Sequence, residues 1–193
     1  MATAHARKLP HIHAVGQPTF ITWNLHGSIP AGRVFPEGAT AGQAFVAMDQ
    51  LLDNARSGPL YLKMPEIAGI IVEALQYREH VLKNFDLHAW VIMANHVHIL
   101  ITPHVGVSAI MRSLKRHTAR EANRILGLTG QPFWNVESYD HLVRSGQEFK
   151  RIAAYIEMNP VKAGVAAAPE DYPWSSAYVR QAGSLRRVAN PPF

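Results

Sequence analysis

The spacing of apolar positions along the chain changes several times, and each change marks an element. Thr19 to His26 (TFITWNLH) is dense in β-branched and aromatic residues and is followed by Gly27, Pro30 and Gly32, which predicts a strand. From Thr40 to Ala55 the spacing becomes helical, with Phe45, Met48 and Leu52 on one side, Thr40 and Gln43 at capping-box separation and Gly58 just past the end. Pro65 to His80 repeats that pattern around Ile67, Ile70, Ile71, Ala74 and Leu75, with Pro65 in the first turn. Phe85 to Met93 and His96 to Thr102 are short apolar runs separated by Ala94-Asn95, the spacing of an antiparallel hairpin. A helix is expected from Val107 to Leu126 with Ile110, Leu114 and Ile125 on one side, and a fourth strand from Ser138 to Arg144.

A last helix opens at Ser145, with Glu148 three residues on and Phe149, Ile152 and Ile156 as its apolar stripe. Asn159-Pro160 is expected to close it, because the residue before a proline avoids the α region. Asp171-Tyr172-Pro173-Trp174 reads as an anchor of aromatic packing beyond that helix. Strands interleaved with helices, one pair forming a hairpin, imply an α+β fold: a ferredoxin-like sandwich in which helices pack on an antiparallel sheet, plus an extra C-terminal helix. The expected organisation is a flexible arm over 1–18, one domain over 19–176 and a tail over 177–193.

Composition narrows the chemistry. The 193 residues are 48% hydrophobic, enough for one core, and contain no cysteine, which excludes a disulfide scaffold, a thiolate metal site and a cysteine nucleophile. Any metal must be held by nitrogen and oxygen. Nineteen lysines and arginines against 14 acids leave a net charge of +5, a modest excess whose location matters more than its size. The amino-terminal segment lacks the apolar core of a signal peptide, so a cytoplasmic location is expected. No charged residue occurs between Asp86 and Arg112, yet His88, Asn95, His96, His98, Pro103, His104 and Gly106 interrupt that stretch too often for a membrane span.

Three features carry candidate chemistry. His96-Val97-His98 lies inside an apolar strand, so both imidazoles project to one face while Val97, Ile99 and Ile101 take the other. Side by side, two rings can reach one cation. The bare pattern is cheap, since His11-Ile12-His13 repeats it in the unpatterned arm, and a packed histidine is the commoner reading. Tyr155 and Asn159 stand one helical turn apart on one face, towards the edge of the apolar stripe. Separately, Arg112, Lys115, Arg116, Arg120 and Arg124 form a basic row with Glu121 among them, either a solvated helix face or a track for phosphates. Trp23, Trp90, Phe133 and Trp134 are aromatics that could stack on bases or pack in the core. No phosphate-binding P-loop, GxGxxG, GxSxG or HExxH segment occurs.

The segment Val91-Ile92-Met93-Ala94-Asn95-His96-Val97-His98-Ile99-Leu100 resembles the "MPNHVHLL" segment of the REP-associated tyrosine transposases, HUH-type single-strand DNA transposases of the insertion sequence 200 kind. Tyr155-Ile156-Glu157-Met158-Asn159-Pro160-Val161-Lys162-Ala163-Gly164-Val165 resembles their "YIxxNPVRAGLV" segment. Phe133-Trp134, Tyr139-Asp140-His141 and Tyr172-Pro173-Trp174-Ser175-Ser176 are similar in order as well. Two departures stand out: Ala94 replaces a proline, and the stretch between the first strand and the helices before the hairpin matches nothing and carries no site assignment.

The resemblance implies a ferredoxin-like fold, Tyr155 as nucleophile, and His96, His98 and Asn159 as ligands of a divalent metal. It implies cleavage and rejoining of single-stranded DNA at hairpin or palindromic repeats through a 5′-phosphotyrosine. Magnesium is the expected ion, with manganese able to substitute because two imidazoles suit it. The protein would act as a monomer or a homodimer. A silent single-strand binding module and a hydrolytic phosphodiesterase using metal-bound water are the alternatives, and an RNA-binding module of the RRM type lacks its signature segment.

Overall fold

The computed structural model describes residues 15–29, 41–54 and 58–178. The capping pair at Thr40, and most of the amino-terminal arm and the tail, lie outside the described residues. Four strands, β1 (Thr19–Asn24), β2 (Phe85–Ile92), β3 (His96–Pro103) and β4 (Tyr139–Leu142), form an antiparallel sheet in the order β2-β3-β1-β4. Four α-helices accompany them: α1 (Ala41–Asp53), α2 (Pro65–His80), α3 (Val107–Leu126) and α4 (Gly146–Lys162). Taking α1 as an insertion after β1 and α4 as an appendage, the remaining β-α-β-β-α-β order and this strand order make the ferredoxin-like sandwich expected from the pattern.

Alternation along β3 divides the molecule into two layers. Val97, Ile99 and Ile101 face α2 and α3 in a core with Ile21, Trp23, Ile71, Leu75, Ile110 and Leu114. On the other face, Phe20, Val91 and Leu100 meet Phe45 of α1 and Ile156 of α4 in a second, smaller core. Each fully buried aliphatic side chain contributes roughly 1.5–3 kcal/mol relative to exposure, so both faces of β3 are held in register by packing. His96 and His98 share the second face, completely buried beside β1, where Thr22 pairs with His98 and Asn24 with His96.

Several expectations are corrected. α4 does not stop at Asn159-Pro160 but runs to Lys162. Its end is a left-handed cap instead: Gly164 has φ +69°, Val165 N–H donates to the Pro160 carbonyl and Gly164 N–H to that of Val161. Asn159 is therefore inside a regular helix and buried, not at an edge. Ile125 is exposed, because its neighbour Leu126 continues the packed side of α3 instead. Trp23, Trp90, Phe133 and Trp134 are all buried in the larger core and present no ring to a base. Ser145 caps α4 as expected, its hydroxyl accepting from Glu148 N–H. No described helix is long and apolar enough to cross a membrane.

Candidate active site

The histidines are aimed by partners on either side. The two-residue turn of the β2–β3 hairpin closes with Met93 N–H donating to the His96 carbonyl, which places Asn95 beside the ring that follows it. Asn95 Oδ1 lies 2.7 Å from His96 Nδ1, and Asn95 Nδ2 donates to the Leu52 carbonyl at the end of α1. Nδ1 of His96 thus carries the proton, and Nε2 is left with a lone pair. His98 Nδ1 meets Thr22 Oγ1 at 2.7 Å, which turns its Nε2 the same way. The two ring centroids are 4.7 Å apart. Outer partners of this kind set tautomer and orientation in metal-binding histidines.

Helix α1 supplies what the sequence reading did not assign. Asp49 is buried, with Oδ1 3.1 Å from His98 Nε2 and 3.8 Å from His96 Nε2. Asp53, one turn later, puts Oδ1 3.6 Å from His96 Nε2. From α4, the Tyr155 hydroxyl donates to Asp49 Oδ2, and Asn159 Nδ2 is 3.4 Å from His98 Nε2. Lys162, two turns beyond Tyr155, holds its ammonium 4.4 Å above the Tyr155 ring centroid. Phe20 stacks on His98 and, with Phe45, borders Tyr155, so the hydroxyl side of the site is walled by aromatic carbon.

Electrostatics follow from that enclosure. Burial, and then the neighbouring His98, push the His96 imidazole down to about 3, so it is neutral. Burial also acts to raise the Asp49 carboxyl, but His98, His96 and Lys162 together outweigh it and hold the group below its ordinary range. Asp53 goes the other way, raised to about 7 by burial and by the Asp49 charge.

The donor set fits a divalent cation. Ligand atoms of Asp49, His96 and His98 all lie within 4.8 Å of one another. His96 Nε2, Asp49 Oδ1 and Asn159 Oδ1 are buried without a well-formed hydrogen bond, a costly arrangement unless a cation satisfies them. Nitrogen and oxygen donors of this mixture suit manganese, magnesium with retained waters, or a similar ion.

The basic row lies elsewhere. α3 packs on the opposite face of the sheet, so the sheet separates Arg112, Lys115, Arg116, Arg120 and Arg124 from the histidines. Lys115 donates to the carbonyls of Asn135, Val136 and Glu137 and ties down the loop before β4. Arg120 and Arg124 both pair with Glu121. Arg112 and Arg116 are exposed.

Comparison with known proteins follows the same residues. Residues 71–159 match the family model described as "Transposase IS200 like", a span that contains His96, His98, Tyr155 and Asn159. Over that span the chain is similar to the IS200-like transposases. A REP-associated tyrosine transposase of Escherichia coli (strain K12) is 27% identical over 92 residues, 48% of this chain and 54% of that protein. The chain thus matches about half the length of that curated relative. The solved structure of a REP-associated tyrosine transposase bound to a REP hairpin superposes with a TM-score of 0.60 at 20% identity, over 97% of this chain and 95% of that one, which shows the shared fold. A putative transposase from Deinococcus radiodurans R1 superposes more loosely, at TM-score 0.43 and 18% identity over 79% of this chain and 98% of that one. Asp49 lies outside the family-matched span, and its only sequence signal was its place on a helix between Phe45 and Leu52.

Proposed function

We propose that the protein is a divalent-metal-dependent transposase that cleaves and rejoins single-stranded DNA at hairpin or palindromic repeats, with Tyr155 as nucleophile. The observation that carries this reading is the convergence of the Tyr155 hydroxyl and the two imidazoles on one buried carboxylate, Asp49, with the Asn159 amide against His98. The likeness of the fold to a relative solved with a REP hairpin supports the choice of substrate. His96, His98 and Asn159 would hold the ion, with Asp49 beside them, and the ion would act as a Lewis acid on the scissile phosphate.

The chain's own groups do the rest. Asp49 takes the phenolic proton as Tyr155 Oη attacks phosphorus. The new bond joins Tyr155 to the 5′-phosphate, and the bond to the 3′ oxygen breaks as that oxygen takes a proton from solvent, which leaves a 3′-hydroxyl. Lys162, over the ring, offsets negative charge that builds on the tyrosyl oxygen and phosphate. Phe20 and Phe45 keep water from the phosphotyrosyl bond, so a 3′-hydroxyl from another strand end can reverse the step and restore the phenol.

The test is a labelled hairpin oligonucleotide incubated with the protein and manganese or magnesium. A denaturation-resistant protein–DNA adduct mapping to Tyr155 and abolished by chelator is expected. Cutting without an adduct would favour a hydrolytic phosphodiesterase, and binding without cutting a silent module.

Arg112 and Arg116, exposed on the far layer, would contact the duplex stem of the hairpin, not the cut site. Replacing each with alanine is expected to lower the slope of log affinity against log salt by about one and to leave the adduct chemistry of bound DNA unchanged. An unaltered slope would remove the row from the interface.

A further inference from the structure

We propose that the cavity adjoining His96 seats one unpaired nucleobase, that of a nucleotide flanking the scissile phosphate, and that it favours a base with an exocyclic amino group. This rests on the cleavage reading above. The cavity, about 410 Å³, opens between the β2–β3 turn, the end of α1, the segment after α4 and the Tyr172–Trp174 strap. Pockets of roughly 300–1,000 Å³ hold small organic ligands. Of the candidate metal ligands His96 alone lines it, so the cavity adjoins the candidate metal site through that ring, close enough for a strand whose phosphate sits at the site to place a neighbouring nucleotide in it.

The walls are pre-formed. The Tyr172 hydroxyl donates to the Ile92 carbonyl at 2.8 Å, and the Trp174 carbonyl accepts from Ile92 N–H at 2.9 Å, which fastens the Tyr172 ring and the backbone at Trp174 along the edge of β2. Met93 is buried and contributes a soft apolar surface. Aromatic and thioether walls accept the face of any base, the sequence-tolerant part of single-strand binding. Trp174 packs against the larger core but, unlike the tryptophans within it, is only partly buried and lines the cavity.

Charge decides which part of the nucleotide enters. Asp53 and Asp171 line the cavity against one ammonium, Lys63, so its lining carries no excess of positive charge to seat a phosphate. A neutral base enters and the backbone stays out. Asp53 Oδ1 is buried and lacks a hydrogen-bond partner, which makes it an acceptor waiting for an N–H. Carboxylates recognise the exocyclic amines of cytosine and its like, whereas thymine has none to offer. Lys63, exposed at the rim, is placed to meet the phosphate outside.

A hairpin oligonucleotide that the wild-type protein cuts is remade with adenine, cytosine, thymine or an abasic site at each nucleotide flanking the cut. Adduct formation is then timed for wild type, Trp174→Leu and Lys63→Gln. At one of the two positions, base removal should slow the wild type about tenfold or more, and adenine or cytosine should outpace thymine several-fold. Both contrasts should shrink towards unity in Trp174→Leu, and Lys63→Gln should weaken binding of every substrate alike. The wild-type contrasts need no variant, so a Trp174→Leu protein that fails to fold leaves the test intact. Equal rates for all bases and the abasic site at both positions would overturn the pocket while leaving cleavage in place. If the wild type forms no adduct with any DNA, the cleavage reading fails, and 2-aminopurine at the same positions decides the pocket separately. Quenching on binding that Trp174→Leu loses supports it; unquenched fluorescence overturns it.

Discussion

Tyr155→Phe is expected to form no covalent complex with a hairpin oligonucleotide, a loss of at least ~10⁴-fold in adduct rate, while DNA affinity changes little. The substitution removes one oxygen and keeps the ring that Lys162 covers and that Phe20 and Phe45 border. It also leaves Asp49 Oδ2 without its donor, so stability should fall by about 1–3 kcal/mol, the usual cost of stripping a partner from a buried charged acceptor. Tyr139 is the internal control. It stacks on Phe45 with centroids 4.5 Å apart, close to the same site, but burial, Asp140 and Glu148 push its phenol up and oppose ionisation. Tyr139→Phe should therefore keep the adduct. An adduct in Tyr155→Phe, or its loss in Tyr139→Phe alone, would move the nucleophile away from Tyr155.

The histidine pair was legible in the sequence because a strand has a strict period of two. Once Val97, Ile99 and Ile101 are assigned to a core, His96 and His98 have one face left to occupy. The limits of α2 and α3 were equally legible, since proline, glycine and helical apolar spacing agree there. Rules of local preference failed where packing opposed them. Pro160 stays in α4 because the left-handed cap at Gly164 and burial of Asn159 and Pro160 outweigh the local preference of the residue before proline. Tryptophans flagged for base stacking lie in the core, as their size favours, and the basic row lies on the layer opposite the histidines, a matter of which sheet face α3 covers. Asp49 was illegible for a different reason. It meets Tyr155 across 106 residues of sequence, and nothing local distinguishes it from a solvated acid on an amphipathic helix.

That carboxylate carries the second large effect. Asp49→Asn keeps the size of the side chain and removes the charge that faces His98, His96 and the Tyr155 hydroxyl together. Loss of the proton acceptor is expected to slow adduct formation about 10²–10⁴-fold, the range for general-base contributions. A second readout separates this from simple misplacement of the tyrosine. In the wild type a divalent ion at about 100 times its dissociation constant should stabilise the fold by about 2.7 kcal/mol, a rise in melting temperature of roughly 5–10 °C for a chain of this size. Without the anionic oxygen between the two imidazoles, the affinity for manganese should drop 10–100-fold, which removes about half to 85% of that rise at the same concentration. Thermal melts with and without manganese, beside timed adduct formation, read the two effects independently. A melting shift equal to wild type with a slowed reaction would make Asp49 a positioning and proton-accepting group for Tyr155 that stands outside the metal's ligands; an unchanged rate would remove it from the chemistry altogether.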